Sequence, residues 1–382
     1  MKKMKNILIT GSNGFIGKNL KIYLSNFSNL KIKTVRNNIS QKSLEESLKN
    51  IDIIFHLAGV NRSNNLNKFN NNFLFIKKIC TILIKYKSQT KIFFTSSKLL
   101  EGNRKNLSRM HLSYIKSKLK AESVLKSFHK STGNQVFIYR LPHVMGKWAR
   151  PNYNSVIATF CNNIARNKKS IIQNEDYQLS IVQIDNVFKS FEKNIYKKQF
   201  SKFQYVALKT KNITVGELYK KILQINNFLN DNITPSFTND FDRDLYSTFI
   251  TYLPKRRILF NLKNNFDDRG NFIECFKNKN FGQISFFTSK PNVQRGNHYH
   301  HLKCEIFIVL KGKAEYKSTS LNNGKVDKFV LSDKRIKIIR TVPGEMHSIK
   351  NLGNTDLIVL LWANEVFDIN KPDTYFINGK KT

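Results

Sequence analysis

Four residues near the C-terminal end of the sequence have the types and spacing of a metal site. The stretch GNHYHHLKCEIFIVLKG begins at Gly296 and contains His298, His300 and Glu305. Because side chains alternate across an extended strand, His298 and His300 would point to one face. His347 follows a Pro-Gly turn and completes three imidazoles and one carboxylate. Such a set could hold Zn, Fe, Mn or Ni, and sequence alone does not choose among them.

A second group of reactive residues lies in the N-terminal third of the chain. Tyr114 and Lys118, in SYIKSK, would share one face of a helix. A lysine cation beside the phenol lowers its pKa from about 10, so the pair could pass a proton to a carbonyl under reduction. Ser97, or its neighbour Ser96, ends a predicted strand and could hydrogen-bond the same carbonyl oxygen.

A glycine-rich turn at the start of the chain, TGSNGFIG, predicts a dinucleotide site. Gly11, Gly14 and Gly17 follow a predicted strand and open a predicted helix, so a pyrophosphate could approach the helix amides closely. The second predicted strand is followed by Arg36, with no carboxylate nearby. Arg36 could pair with the 2′-phosphate of NADP, which predicts NADPH as cofactor. The alternative is a solvated surface arginine in a basic chain.

The patterns around these sites predict two architectures. Up to about residue 145, short apolar runs alternate with helical patterns, which indicates a parallel, doubly wound α/β sheet. From about residue 270, short strands recur between turns without a long helix, which indicates an all-β barrel or sandwich. We therefore expect a Rossmann-like reductase domain at residues 1–245 and an all-β domain at residues 254–382.

Composition excludes several classes of protein. The 382 residues are 40% hydrophobic, which is enough for real cores, and 65 basic residues against 26 acidic ones give a net charge of +39. The basic residues are spread along the chain, so we expect compositional drift rather than a nucleic-acid partner. Four cysteines without a CxxC fit a reducing cytoplasm. No apolar run is long enough for membrane insertion.

The N-terminal motifs TGSNGFIG, HLAG, FFTSS and YIKSK resemble those of the extended short-chain dehydrogenase/reductases, which act largely on nucleotide sugars with a bound nicotinamide. One departure is His143, where such proteins usually have asparagine. The resemblance implies the catalytic residues Ser97, Tyr114 and Lys118. The cofactor-binding set that it implies comprises Gly11, Asn13, Gly14, Phe15, Ile16, Gly17, Arg36, Leu57, Ala58, Gly59, Tyr114 and Lys118.

The C-terminal pattern, HxH followed by Glu and Gly, resembles the first motif of the cupin barrel, and VPGEMHSIKN resembles the second. The second motif departs slightly, because Pro343 adjoins Gly344. His301 could face solvent, replace a ligand or act as a base. Zinc is favoured, since the other half carries the redox chemistry, although in a metal-free cupin the histidines would be structural. The ligands that the resemblance implies are His298, His300, Glu305 and His347.

Stretches in both halves and at their joint, including DLYSTFITYLP, DDRGNFIE and LLWANEVFDINKPDTYF, resemble the bifunctional UDP-2-acetamido-2,6-dideoxy-hexulose reductase/epimerases of capsule and O-antigen synthesis. The resemblance implies C3 epimerisation of a UDP-4-keto-6-deoxy-N-acetylhexosamine in the cupin half. NADPH reduction at C4 would follow and give UDP-N-acetyl-6-deoxy-L-talosamine, on the route to UDP-N-acetyl-L-fucosamine. We also expect a homodimer. The alternatives are a reductase or dehydratase-like enzyme whose cupin only dimerises or binds a ligand, and a sensor without turnover.

Overall fold

The computed structural model describes residues 3–36, 38–105, 107–197 and 202–377. These residues form two compact units. The first comprises the described residues up to Leu223 together with Asn239–Pro254, and the second comprises Gln224–Thr238 and the described residues from Lys255 onward. Each unit contains its own buried hydrophobic core. No helix among the described residues combines the length and the hydropathy needed to cross a bilayer.

The helices and the strands of the first unit follow the alternation expected from the sequence. The α-helices of the described residues are α1 Phe15–Ser25, α2 Gln41–Leu48, α3 Asn71–Lys85, α4 Arg109–Thr132, α5 Val156–Ile164, α6 Ile184–Ile195, α7 Val215–Asn230 and α8 Asp240–Ile250. The strands of the first unit are β1 Lys5–Thr10, β2 Leu30–Val35, β3 Ile53–His56, β4 Lys91–Ser97, β5 Val136–Leu141, β6 His143–Met145, β7 Gln178–Gln183, β8 Phe203–Tyr205 and β9 Lys211–Thr214.

Six of these strands form one parallel sheet in the order β2-β1-β3-β4-β5-β8, which confirms the predicted parallel α/β fold. The order differs from the 3-2-1-4-5-6 order of a full Rossmann sheet. Among the described residues between β2 and β3 there is one helix, α2, and no further strand, so the outermost strand of that order is not seen. The strand order still reverses between β1 and β3, and ligands bind at the carboxyl ends of strands at such a reversal.

The sheet is buried on both faces, which explains the apolar runs in its strands. Successive side chains of a strand point to opposite faces. Leu8 and Phe94 accordingly belong to one core, and Ile7 and Phe93 belong to the other. A strand that is buried on both sides must be apolar at nearly every position, so the sequence shows continuous runs rather than alternation.

A buried carboxylate ties α4 to the sheet. Glu122 is 4% exposed and accepts hydrogen bonds from Ser96 Oγ at 2.6 Å, Arg140 Nη2 at 2.7 Å and Tyr205 Oη at 3.1 Å. We expect Glu122→Ala to lower the free energy of unfolding by about 3 kcal/mol, because it removes a buried carboxylate and leaves the Arg140 guanidinium only the exposed Glu101, at 3.4 Å. Urea unfolding measures the loss. The near-isosteric Glu122→Gln should lose less, and a change in Glu122→Ala below about 0.5 kcal/mol would contradict this account.

The second unit is built on two antiparallel sheets, which confirms the expected β-rich C-terminal half. One sheet has the order β10-β11-β12-β19-β14-β17 and the other β13-β18-β15-β16. Phe287, Phe307, Tyr316 and Ile349 contribute from both sheets to one core. The strands are β10 Asn264–Asp267, β11 Gly270–Asn278, β12 Gly282–Ser289, β13 Gln294–His298, β14 Glu305–Lys311, β15 Lys313–Ser320, β16 Val326–Ser332, β17 Ile338–Arg340, β18 Glu345–Asn351 and β19 Leu357–Ala363.

Candidate active sites

The glycine loop at the end of β1 is shaped for close approach of a ligand. Gly11 has φ 71°, and a Cβ atom there would lie 2.6 Å from the amide nitrogen of Ala58. A Cβ atom at Gly17 would clash with the carbonyl oxygen of Gly11. Gly14 donates its N–H to Gly11 O at 3.0 Å and is the N-cap residue of α1, which has no capping side chain. The first amides of α1 are therefore available to an anion.

The remaining predicted cofactor residues converge on the same edge of the sheet. Thr10, the last residue of β1, lies in register with both Val35 and His56. The glycine loop follows Thr10, the exposed Arg36 follows Val35, and the Leu57–Gly59 segment follows His56. Asn13 lies on the glycine loop, and Phe15 and Ile16 begin α1. Thr10 Oγ1 also accepts the N–H of Ala58 at 3.2 Å and so fixes the segment after β3.

The structure brings the three predicted catalytic residues to one place. Tyr114 and Lys118 lie on α4, and Ser97 is the last residue of β4. Tyr114 shares a hydrogen bond with Ser97, whereas Ser96 Oγ donates to Glu122, so Ser97 is the serine beside the phenol. Lys118 Nζ donates to Thr95 O at 2.8 Å. The ammonium also lies beside the cofactor loop, because a Cβ atom on Gly59 would be 3.3 Å from Nζ.

The electrostatics of this site differ from the sequence-based expectation. Burial raises the pKa of Tyr114, and the hydrogen bond to Ser97 lowers it only in part. Burial lowers the pKa of Lys118 to about 8, against the attraction of Glu122. The net result is a raised pKa for Tyr114, while the ammonium of Lys118 donates to Thr95 O. A phenol that stays protonated at neutral pH can still donate a proton to a developing alkoxide.

The predicted metal ligands form one compact cluster in the second unit. His298 ends β13, Glu305 begins β14, and His347 lies on β18 directly opposite His298. One donor atom from each of these residues and from His300 lies within 4.8 Å of all the others. His347 Nε2 and His300 Nε2 are 3.2 Å and 3.4 Å from Glu305 Oε2. Three imidazoles and a carboxylate at this spacing can surround one divalent ion.

Hydrogen bonding and charge show that these residues fit a metal. His300 Nδ1 can only donate to the carbonyl oxygen of Asp373, so its Nε2 carries the lone pair, and this buried atom has no hydrogen-bond partner in the described part of the chain. Burial alone would raise the pKa of Glu305, but the nearby imidazoles of His347 and His300 hold it below its usual range. Burial, reinforced by repulsion from His347, lowers the pKa of His298 to about 4. Neutral imidazole and ionised carboxylate are the forms that bind metal.

The cluster opens into a cavity of about 540 Å³, within the usual range for small-molecule sites. The lining includes Phe272, Ser285 and Phe376, and the centre of the Phe376 ring lies 5.8 Å from that of the His298 ring. Two arginines, Arg269 and Arg295, also line the cavity, and both pair with the carboxylate of Asp267. The cavity therefore offers apolar surface and positive charge beside the candidate metal ligands.

Sequence reasoning missed Asp373, which supports the cluster from a distant position. Its carboxylate accepts the N–H groups of His301, Leu302 and Lys303 at 3.0, 2.8 and 2.7 Å and so shapes the turn before Glu305. No local pattern marks this role, and the only signal was that KPDTYF is one of the stretches that carry the family resemblance. The structure places the extra histidine, His301, in solvent against the ring of Tyr375, 4.7 Å between centroids, and outside the cluster.

Comparison with known proteins finds a matching family for each half of the chain. Residues 7–189 match the NAD dependent epimerase/dehydratase family, and residues 265–375 match the polysaccharide biosynthesis C-terminal domain. Over 370 residues, the chain is 36% identical to the UDP-2-acetamido-2,6-beta-L-arabino-hexul-4-ose reductase of Pseudomonas aeruginosa, with 97% of each chain covered. The chain belongs to the family of this reductase.

Two solved structures match this chain over both of its units. The capsular polysaccharide assembling protein CapF from Staphylococcus aureus is 35% identical and superposes with a TM-score of 0.87, covering 97% of this chain and 99% of CapF. A structure of CapF with the inhibitor 3-isopropenyl-tropolone superposes with a TM-score of 0.80 at 33% identity, again covering 97% of this chain and 99% of the other. The resemblance to capsule-synthesis reductases inferred from the sequence is thereby confirmed.

Proposed function

We propose that this protein is a bifunctional enzyme that epimerises C3 of a UDP-4-keto-6-deoxy-N-acetylhexosamine and then reduces the C4 ketone with NADPH. The product would be UDP-N-acetyl-6-deoxy-L-talosamine, on the route to UDP-N-acetyl-L-fucosamine. The observation that carries the proposal is the presence in one chain of a Ser–Tyr–Lys site beside a glycine loop and of a buried cluster of three histidines and a glutamate. Its relative from Pseudomonas aeruginosa is a reductase of a UDP-linked hexul-4-ose.

We assign epimerisation to the C-terminal domain, residues 254–382, which we class as a cupin barrel because two antiparallel sheets carry the histidine cluster. A ketone acidifies the neighbouring C–H bond, which makes removal and return of the C3 proton feasible. When held by His298, His300, Glu305 and His347, a divalent metal supplies a Lewis acid for the oxygen beside that bond. Zinc suits this donor set and adds no redox chemistry of its own.

We assign reduction to the N-terminal domain, residues 1–245. NADPH, when bound at the glycine loop, supplies the hydride for C4. Tyr114 donates the proton that the resulting alkoxide requires, and Ser97 holds the carbonyl oxygen in line with the phenol. Lys118 lies between the catalytic residues and the cofactor loop, where its ammonium stabilises negative charge on the phenolate that remains. The homodimer and the cytoplasmic location expected from the sequence remain predictions.

The direct test is to incubate the full chain with the UDP-linked keto sugar in deuterated water, with and without NADPH. Without NADPH, we expect deuterium to enter C3 while the ketone persists. With NADPH, we expect one equivalent of cofactor to be oxidised and a product that carries deuterium at C3. Reduction without any deuterium would favour the alternative, a reductase whose second unit only dimerises or binds a ligand.

Cofactor choice should depend on Arg36, which follows β2 at the cofactor edge. We expect NADPH to bind more tightly than NADH, and Arg36→Ala to weaken NADPH binding about 10- to 150-fold with little change for NADH. This range corresponds to the loss of one charge-assisted contact to phosphate. Lys33→Ala, which removes an exposed positive charge from the same strand, is the control. Calorimetric titration with both cofactors measures the effect, and equal affinities in the unmutated protein would rule out this role.

A further inference from the structure

An aromatic and basic surface follows β6 in the first unit. The segment Lys147–Tyr153 has the sequence KWARPNY, and its two aromatic rings are 46% exposed at Trp148 and 37% exposed at Tyr153. Lys147 Nζ lies 5.3 Å from the centre of the Trp148 ring, and the guanidinium of Arg150 lies 5.2 Å from that of Tyr153. Flat rings beside cations are therefore presented together on a short segment.

The backbone of this segment is held in an unusual conformation. Trp148 has φ 68°, in the left-handed region that bulky residues rarely adopt. Asn19 Nδ2 donates to Lys147 O at 2.9 Å, and Tyr252 Oη donates to Ala149 O at 2.9 Å. The carbonyls on both sides of Trp148 are thus anchored. Strained residues that the surrounding structure over-determines cluster at ligand-binding sites.

The segment lies beside the reductase site. Asn19 belongs to α1, the helix that opens at the glycine loop, and Arg62 follows the Ala58–Gly59 segment and donates through Nη1 to Tyr153 O at 2.6 Å. Leu141, six residues before Lys147, lies in register with Ser97. A ligand with its reactive end at Ser97 could therefore extend along this segment.

The positive charge of the segment is not neutralised. The sequence has no acidic residue between Glu122 and Glu175. Within the part of the chain that the structure describes, Lys147, Arg150 and Arg62 take part in none of the salt bridges. A nucleobase stacks on an aromatic face, and phosphate oxygens bind arginine and lysine, so a nucleoside diphosphate matches this combination.

We propose that Lys147–Tyr153 is the nucleotide subsite of the reductase unit. The indole of Trp148 stacks on the uracil, and Lys147 and Arg150 bind the diphosphate, so the sugar extends towards Ser97 and Tyr114. This inference rests on the proposed function, which supplies the class of substrate, and it adds the residues that hold the nucleotide.

The test uses UDP itself as the probe. The chain contains two tryptophans, Trp148 and Trp362, so full-length Trp362→Phe leaves Trp148 as a local fluorophore. We expect UDP to quench its fluorescence. Calorimetry measures UDP binding to the single variants Trp148→Ala and Arg150→Ala, each made in the chain that keeps Trp362. We expect each variant to bind UDP at least about tenfold more weakly than the unmutated protein. The controls Tyr177→Ala and Lys169→Ala remove an exposed ring and an exposed charge from the same unit outside the segment, and they should bind UDP normally.

The possible outcomes separate this inference from the proposed function. If UDP binds but neither quenches Trp148 nor loses affinity in the two segment variants, the subsite lies elsewhere, while the proposed substrate class stands. If Lys169→Ala weakens binding as much as Arg150→Ala, general charge attraction explains the binding and the subsite is rejected. If the full chain does not bind UDP at all, both the subsite and the UDP-sugar substrate are rejected.

Discussion

Tyr114→Phe is expected to slow NADPH oxidation by the keto sugar about 10²- to 10⁴-fold, while NADPH binding stays unchanged. The range is that of a lost general acid. The substitution removes the phenol hydroxyl, which shares a hydrogen bond with Ser97. Burial keeps the pKa of this hydroxyl raised. Without this phenol, the alkoxide left by hydride transfer keeps Ser97 as a hydrogen-bond partner but loses its proton donor. Single-turnover absorbance at the nicotinamide band measures the rate separately from binding.

The control for this experiment is Tyr86→Phe. Tyr86 is 46% exposed and hydrogen-bonds the carboxylate of Glu45, so the substitution removes a tyrosine hydroxyl whose partner lies outside the candidate catalytic set. Its reduction rate should equal that of the unmutated protein. If Tyr114→Phe reduces the ketone within about threefold of that rate, another group donates the proton and the catalytic role of Tyr114 is rejected.

His298→Ala and Glu305→Ala are expected to lose the metal and, with it, the exchange of the C3 proton. Each substitution removes one of four donors that lie within 4.8 Å of one another. Since loss of an outer-shell partner already costs about 10- to 100-fold in metal affinity, loss of a ligand should cost about 100-fold or more. Metal content per chain after dialysis against a chelator should fall from about one to near zero in both variants.

The neighbouring histidine provides a matched control for the metal site. His301 is exposed and lies against Tyr375, outside the cluster, so His301→Ala should keep both the metal and the exchange. Purified His298→Ala that retains about one tightly bound metal per chain would show that the cluster is not the metal site. Equal loss of metal in His301→Ala would point to general disruption of the turn before Glu305.

Features that depend on neighbouring residues could be predicted from the sequence. The glycine loop, the Tyr–Lys spacing and the HxH pattern each lie within a few residues, so their geometry follows from the 3.6-residue helix and the two-residue strand. The apolar runs also predicted the parallel sheet, because strands buried on both faces have no polar side.

Features that depend on long-range packing could not be predicted. The strand order shows no outer strand, since α2 alone is seen between β2 and β3 in the described part of the chain, and no local pattern shows which strands pair. Asp373 contacts the turn after His300 from a position some 70 residues away. The spacing of Tyr114 and Lys118 was predicted correctly, but the direction of the Tyr114 pKa was not. Burial of the phenol decides that direction.

The two active sites proposed for this chain predict that proton exchange and reduction can be uncoupled by mutation. The measurement is deuterium incorporation at C3 of the keto sugar, followed by NMR in deuterated water without NADPH. Tyr114→Phe should incorporate deuterium at the unmutated rate, whereas His298→Ala should incorporate none and should still reduce a pre-epimerised keto sugar with NADPH. Incorporation that survives the combined loss of His298, Glu305 and metal, or that disappears in Tyr114→Phe, would contradict this division of labour.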